Sequence, residues 1–173
     1  MIPSLYWGFG NTFTYKNWDL DVFIYSQLGV DKYNDVYSWT SGRGLGNQTN
    51  NMSVYIKDVW HSELNPNGTI PGIAYEMASV SLPGGAGTDI GYENSSFVRV
   101  RNITLGYNFK PNQLGALSKL LSGIRVYVDV QNPFTFTGYT GLDPEVNTGG
   151  NYKGGKAEYP QTRTFSLGAK LSF

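Results

Sequence analysis

The stretch Gly150-Asn-Tyr-Lys-Gly-Gly-Lys156-Ala157 has the glycines and the lysine of a phosphate-binding loop. In such a loop backbone N–H groups cradle the phosphates, the lysine reaches the terminal ones, and a Ser or Thr holds Mg²⁺. Here Ala157 stands in the Ser/Thr position, and Glu158-Tyr159-Pro160 follows where a helix has to begin. Proline inside that first stretch works against a helix, so these residues read as a loop. Gly42-Arg-Gly-Leu-Gly46 and Gly84-Gly-Ala-Gly87 lack the spacing of a dinucleotide fingerprint and its strand-to-helix setting. They read as loop glycines too.

Hydrolytic and metal chemistry find little to work with. His61 is the single histidine and cysteine is absent, so a two-histidine metal site, a thiolate site and a disulfide framework are excluded. His61 sits in a long connection, where an exposed or locally hydrogen-bonded role is expected. Asp143 and Glu145 flank Pro144 and could be taken for a general acid and base or for calcium ligands. An Asp-Pro-Glu sequence is more simply a fixed turn. Asn-x-Ser/Thr matches start at Asn47, Asn51, Asn67, Asn94 and Asn102; Asn102 falls inside a strand pattern, and glycosylation is not expected. No catalytic residue, cofactor site or metal site is assigned, and no enzyme activity is expected.

The elements that position these residues are strands. Side chains alternate between the two faces of a strand, and five segments alternate, at about 4–15, 19–29, 95–109, 123–132 and 163–173. In the first, Leu5, Trp7, Phe9, Phe13 and Tyr15 oppose Tyr6, Gly8, Gly10, Thr12 and Thr14. In the second, Leu20, Val22, Ile24 and Leu28 oppose Asp19, Asp21, Phe23, Tyr25 and Gln27. The fourth sets Ile124, Val126, Val128 and Val130 against Arg125, Tyr127, Asp129 and Gln131. The fifth sets Phe165, Leu167, Ala169, Leu171 and Phe173 against Thr164, Ser166, Gly168, Lys170 and Ser172. The third changes phase: Ile103, Leu105, Tyr107 and Phe109 follow one alternation, whereas Val98 and Val100 follow the other. A β-bulge, or emergence from a bilayer, accounts for such a switch.

Charged residues are 15% of the 173, against roughly 25% in a typical soluble protein, and aromatic residues reach 15%, with 13 tyrosines. Thirteen basic residues balance thirteen acidic ones, so no net field draws the chain to nucleic acid or to an acidic membrane surface. No run approaches the roughly 18 apolar residues of a membrane-spanning helix, and the mean hydropathy is −0.31. Barrel strands with one polar face give such averages. Short and long connections alternate along the chain. Bacterial barrels have short periplasmic turns and long extracellular loops, so with Phe173 on the periplasmic side both long connections fall outside the cell. Tyr15, Trp18, Tyr107, Phe109 and Phe173 then form an interfacial aromatic girdle. In the moderate connection, Leu114, Leu117 and Leu121 are spaced either for a short amphipathic helix or as buried leucines of an irregular turn.

The sequence from Asn94-Ser-Ser-Phe-Val-Arg-Val-Arg-Asn-Ile-Thr-Leu-Gly-Tyr-Asn-Phe109 onward resembles the SusC/RagA-like TonB-dependent outer-membrane transporters. Ile124-Arg-Val-Tyr-Val-Asp-Val-Gln-Asn-Pro-Phe134, Tyr139-Thr-Gly-Leu-Asp-Pro-Glu145 and Tyr159-Pro-Gln-Thr-Arg-Thr-Phe-Ser-Leu-Gly168 resemble the family in order and spacing. Lys57-Asp-Val-Trp60 with Asn65-Pro66 is similar to a family loop motif, here with His61-Ser-Glu-Leu inserted. The first two strands agree in pattern only. The resemblance implies an all-β fold, the last five antiparallel strands of a plugged transmembrane barrel of about 22 strands, with two long extracellular loops. It also implies import of glycans or peptides across the bacterial outer membrane with a SusD-like lipoprotein, energised through TonB. Five strands do not close a transmembrane barrel. Met1-Ile-Pro-Ser-Leu-Tyr-Trp lacks an export signal, and neither plug nor TonB box is present, so the reading requires further chain upstream.

Within that frame Ser166, Gly168, Leu171 and Phe173 fit the C-terminal signal read by the barrel-assembly machinery. Asp19, Asp21, Arg125, Asp129 and Lys170 are expected on the lumen wall. Tyr37, Trp39, Tyr55, Trp60, Tyr139 and Tyr152 are candidates to stack on sugar rings, to meet the lipoprotein, or to pack within the loops. A different class of protein, a self-contained soluble β-sandwich binding module, accounts for the strands if their apolar faces pack together in a closed core.

Overall fold

A computed structural model describes residues 2–34, 53–70, 91–146 and 159–173. The chain divides into two compact units. The first, residues 2–30, 96–138 and 161–173, is a five-stranded antiparallel sheet built from β1 (Leu5–Tyr15), β2 (Trp18–Leu28), β5 (Phe97–Phe109), β6 (Gly123–Thr137) and β7 (Thr164–Ser172) in the order β1-β2-β5-β6-β7. The second, residues 31–95 and 139–160, holds the two-stranded ladder of β3 (Asp31–Tyr33) with β4 (Tyr92–Asn94).

Register turns the alternation of each strand into a common face. Phe9 lies opposite Ile24, Leu20 opposite Leu105, Leu105 opposite Val128, and Val128 opposite Leu167. A one-residue slip would move every one of these side chains to the other face. Among the described residues no second layer covers the shared apolar face: Phe9, Phe13, Phe136, Phe165 and Leu167 remain 51–77% exposed. A β-sandwich needs that face packed against another sheet. A membrane barrel presents it to lipid.

Neighbouring strands keep register except at one level. Ile24 opposes Val100 and Phe23 opposes Asn102, while on the other side Phe134 opposes Val100 and Gln131 opposes Asn102. Arg101 is thus extra toward β2, and it faces Asn132 and Pro133 on β6. Asn132 has φ of +49°, a conformation that asparagine tolerates better than most residues. The bulge explains the phase switch in the third segment, because Val98 and Val100 return to the apolar face opposite Phe136 and Phe134. It also corrects the expected end of the fourth strand at 132. Proline in a sheet is tolerated at bulges, so β6 passes through Pro133 and continues to Thr137.

The two shorter connections differ. Tyr15 and Trp18 pair directly around Lys16-Asn17, with Lys16 at φ +56°. Between β5 and β6 the chain forms two 3₁₀ segments, Pro111–Gln113 and Gly115–Lys119, broken at Gly115 with φ +55°. The irregular turn is therefore the form adopted, and of the three leucines Leu121 alone is buried, Leu117 being 53% exposed.

Candidate functional site

The polar face of the sheet carries a connected set of charges. Asp19 and Asp21 alternate with aliphatic residues on β2, Asn108 and Thr104 do so on β5, and Arg125 and Asp129 on β6. Arg125 reaches across the intervening strand to Asp19, pairing through Nη2 and donating from Nε at 3.1 and 3.2 Å. Its Nη2 lies 4.0 Å from Asp21. Asn108 donates from Nδ2 to Asp19 at 2.6 Å, Thr12 donates to Asp21, and Thr104 donates to Asp129. This spacing across three strands requires a residue without a side chain between the partners. Gly106 provides it, since a Cβ there would lie 2.6 Å from Asp19 Oδ2 and 2.7 Å from Arg125 Nε.

Three further glycines seat rings on the same face. A Cβ at Gly168 would lie 2.4 Å from the ring of Tyr127, its partner across β6 and β7. The Arg125 guanidinium lies 5.0 Å from that ring's centre, within cation–π range. The Phe23 ring lies over Gly8 and Gly10. Nearer the long-connection end, Arg99 is 1% exposed; its Nε donates to Thr135 Oγ1 at 2.9 Å and its guanidinium lies 5.3 Å from the Phe97 ring. The result is a small-and-charged wall whose ion pairs are partly desolvated.

The second unit is held by two polar anchors. Lys32 on β3 donates from Nζ to the carbonyls of Asp143, at 3.3 Å, Pro144, at 2.9 Å, and Val146. It also lies 5.5 Å from the ring centre of Tyr139. Glu93 on β4 accepts from Asn34 Nδ2 at 2.9 Å and from Thr140, both backbone N–H at 2.9 Å and Oγ1 at 2.8 Å. Asn34, Tyr139, Asp143 and Val146 are buried. Hydrogen bonds to charged groups are the stronger ones, so Lys32 and Glu93 fix the base of one long connection to the base of the other.

The sequence-derived candidates fall into place unevenly. Asp19, Asp21, Arg125, Asp129 and Lys170 share the polar face, Lys170 opposite Arg125. Asp143 accepts from the Glu145 N–H at 2.9 Å through Oδ1 and is 5% exposed; it closes a turn around Pro144. His61 Nδ1 accepts from the N–H groups of Glu63, at 3.2 Å, and Leu64, at 3.1 Å, which makes it a local turn residue. Ser166 and Gly168 lie on the polar face of β7, Leu171 on the apolar face opposite Ile124, and Phe173 follows the strand, 82% exposed. Tyr139 is buried and Trp60 is 48% exposed. The side chain of Tyr55, residues Tyr37, Trp39 and Tyr152, the sequons at Asn47 and Asn51, the glycine motifs at 42–46 and 84–87, and the 150–157 stretch lie outside the described residues. Among the described residues no three His, Asp or Glu side chains gather as a metal site.

Sequence reasoning missed Lys32, Asn34, Glu93 and Thr140. The available signal was the Asp31-Lys-Tyr33 alternation just beyond β2, too short to be read as a strand. Arg99 carried no signal of its own beyond lying between Val98 and Val100, where the alternation changes phase.

No protein-family model matches the chain. Among curated proteins it is 31% identical to TonB-dependent receptor P3 of Formosa agariphila over 99% of its own length and 16% of the relative's. It is 33% identical to TonB-dependent receptor SusC of Bacteroides thetaiotaomicron over 96% of its own length and 15% of the relative's. Among solved structures it is similar to a chain of the RagAB peptide importer in the closed-closed state, with a TM-score of 0.77, 26% identity, and coverage of 99% of this chain and 17% of that one. The open-open state of the same importer gives 0.73 and 27% over the same shares. The chain thus spans about one sixth of the length of the relatives it matches.

Proposed function

The chain belongs to the SusC/RagA-like TonB-dependent receptors over the one sixth of their length that it spans, and from that premise we propose that it is the C-terminal barrel wall of an outer-membrane nutrient importer. The observation that carries the proposal is the uncovered apolar face running across all five strands, backed by the charged face of Asp19, Asp21, Arg125 and Asp129. Lipid favours the first face, and a hydrated or plugged lumen favours the second. Support for reading the segment as non-enzymatic is that Asp19 serves an ion pair and Asp143 closes a turn.

In this reading the short connections lie on the periplasmic side and the long connections on the extracellular side. There the Lys32 and Glu93 anchors give the long connections a preset base for contact with a SusD-like lipoprotein. TonB acts on parts of the receptor beyond this segment. The cargo is a glycan or a peptide. Ser166, Gly168, Leu171 and Phe173 serve as the signal for the barrel-assembly machinery.

The test uses the full-length receptor in its own host. Deleting its gene is expected to abolish uptake of either fluorescent oligosaccharides or fluorescent oligopeptides, and affinity purification of the receptor from outer membranes to co-purify a SusD-like lipoprotein. Recovery of the receptor outside the outer-membrane fraction, or unchanged uptake of both cargo classes, would overturn the proposal. Phe173→Ser is expected to lower the assembled receptor several-fold, and an unchanged yield removes the signal assignment alone.

A further inference from the structure

The apolar face is not uniformly apolar. Arg163 precedes β7 on the alternation of Phe165 and Leu167, and its guanidinium lies 6.0 Å from the centre of the Phe134 ring, a ring that belongs to the apolar face opposite Val100. Arg101 is the extra residue of the bulge. It lies with Val100 between Arg99 and Asn102, both turned to the polar face, and is exposed. Arg101 Nη1 donates to Asn132 Oδ1 at 3.4 Å, and Asn132 Nδ2 donates to the carbonyl of Thr162 at 3.0 Å. Asn132 thus links the Arg101 side chain to the backbone of the residue before Arg163. Among the described residues neither arginine pairs with a carboxylate.

Two cations on a lipid-facing surface, one of them beside an exposed aromatic ring, need an explanation. At the bilayer midplane each would be strongly destabilising, whereas near an interface the cost almost vanishes. Their level is readable from the strands. From Phe109 to Arg101 is eight residues and from Ser172 to Arg163 is nine, about 26–30 Å along strands that rise roughly 3.3 Å per residue. With a tilt of about 40° that is roughly 20–23 Å along the normal, close to the far edge of an apolar band about 25 Å tall. Phe134 and Phe136, 54% and 62% exposed and stacked at 6.5 Å, continue past that level as an outer aromatic girdle. Guanidinium forks match phosphate oxygens bidentately and stack on rings at the same time.

We propose that Arg101 and Arg163, positioned by Asn132 and Phe134, bind the phosphate of an anionic lipid headgroup in the outer leaflet. The inference rests on the barrel-wall reading above. It assigns a ligand class to a surface otherwise open to bulk lipid.

The test is native mass spectrometry of the full-length receptor purified in detergent, with added bisphosphorylated lipid A or its dephosphorylated form as probes. Wild type is expected to retain the phosphorylated lipid about tenfold more than the dephosphorylated one. R101Q/R163Q is expected to lose that preference, and R101K/R163K to keep part of it. Equal retention of both lipids by wild type, or an unchanged preference in the glutamine variant, overturns the inference. Heat-modifiable migration of each variant on gels shows that the barrel is folded. A receptor that never enters the outer membrane sinks the wall reading, whereas a folded barrel without phosphate preference sinks this site alone.

Discussion

The sheet and the second unit are held by opposite means. The sheet relies on repetition: four antiparallel ladders fix five strands in register, and cross-strand pairs such as Leu105 with Val128 each contribute about 0.2–1 kcal/mol. No single side chain dominates. In the second unit the ladder is three residues per strand, and a few charged side chains, Lys32 and Glu93 above all, tie distant backbone together. Redundant structure tolerates point changes that keep its pattern, and anchored structure depends on a few residues.

The largest effect is expected from breaking the pattern itself. Val128 is central on the apolar face, between Leu105 and Leu167, and Val128→Arg in the full-length receptor puts a cation into lipid at a cost of about 2–4 kcal/mol. Folded receptor in the outer membrane should fall by tenfold or more. Thr164→Arg, on the other face opposite Gln131, should leave the yield near wild type. If both variants lose the receptor equally, the two faces do not differ as proposed.

The anchored region should respond locally. Lys32→Met keeps much of the side chain's reach but removes the ammonium from three carbonyls, a loss of about 1.5–3 kcal/mol for hydrogen bonds to a charged group. Hydrogen exchange should speed up at Tyr139 to Val146 and at β3 while the β5 and β6 amides stay protected. Acceleration that spreads through β5 and β6 would show that the two regions unfold together. The two regions would then not be held by separate means.

A third change tests the wall where it does depend on one residue. Gly168→Val drives a side chain into the Tyr127 ring, and overpacking of this kind costs about 1–3 kcal/mol. Thermal unfolding of the purified receptor should move down, and Tyr127→Ser added to Gly168→Val should recover most of the shift. Failure of the second change to rescue would mean that the ring is not what the valine meets.

These contrasts also explain what was legible in the sequence. Alternation is a property of each strand alone, so β1, β2 and β7, with their faces, could be read directly. The phase switch before Ile103 pointed to the bulge but not to its partner, because Pro133 looked like the start of a loop when the β5 register was unknown. Gly106 and Gly168 read as ordinary small positions until Asp19, Arg125 and Tyr127 were placed across from them. Lys32 and Glu93 were invisible for a stronger reason. Their partners, Asp143 to Val146 and Thr140, are mostly backbone groups or lie about fifty to a hundred and ten positions away, and no local pattern records such a contact.

The smallest effect concerns Asp143, and it separates a turn from a reactive carboxylate. Its Oδ1 accepts from the Glu145 N–H across Pro144 and it is nearly fully buried. An asparagine retains that acceptor in the side-chain position that favours such turns. Asp143→Asn should therefore match wild type in uptake and in hydrogen exchange at 140–146, whereas Asp143→Ala should raise exchange there by severalfold through loss of one buried hydrogen bond, about 1 kcal/mol. A carboxylate acting as acid, base or calcium ligand would fail in both variants alike. Parallel loss of uptake in the asparagine and alanine variants would return Asp143 to the list of functional groups, and would place chemistry in the region that the contrast assigns to anchoring alone.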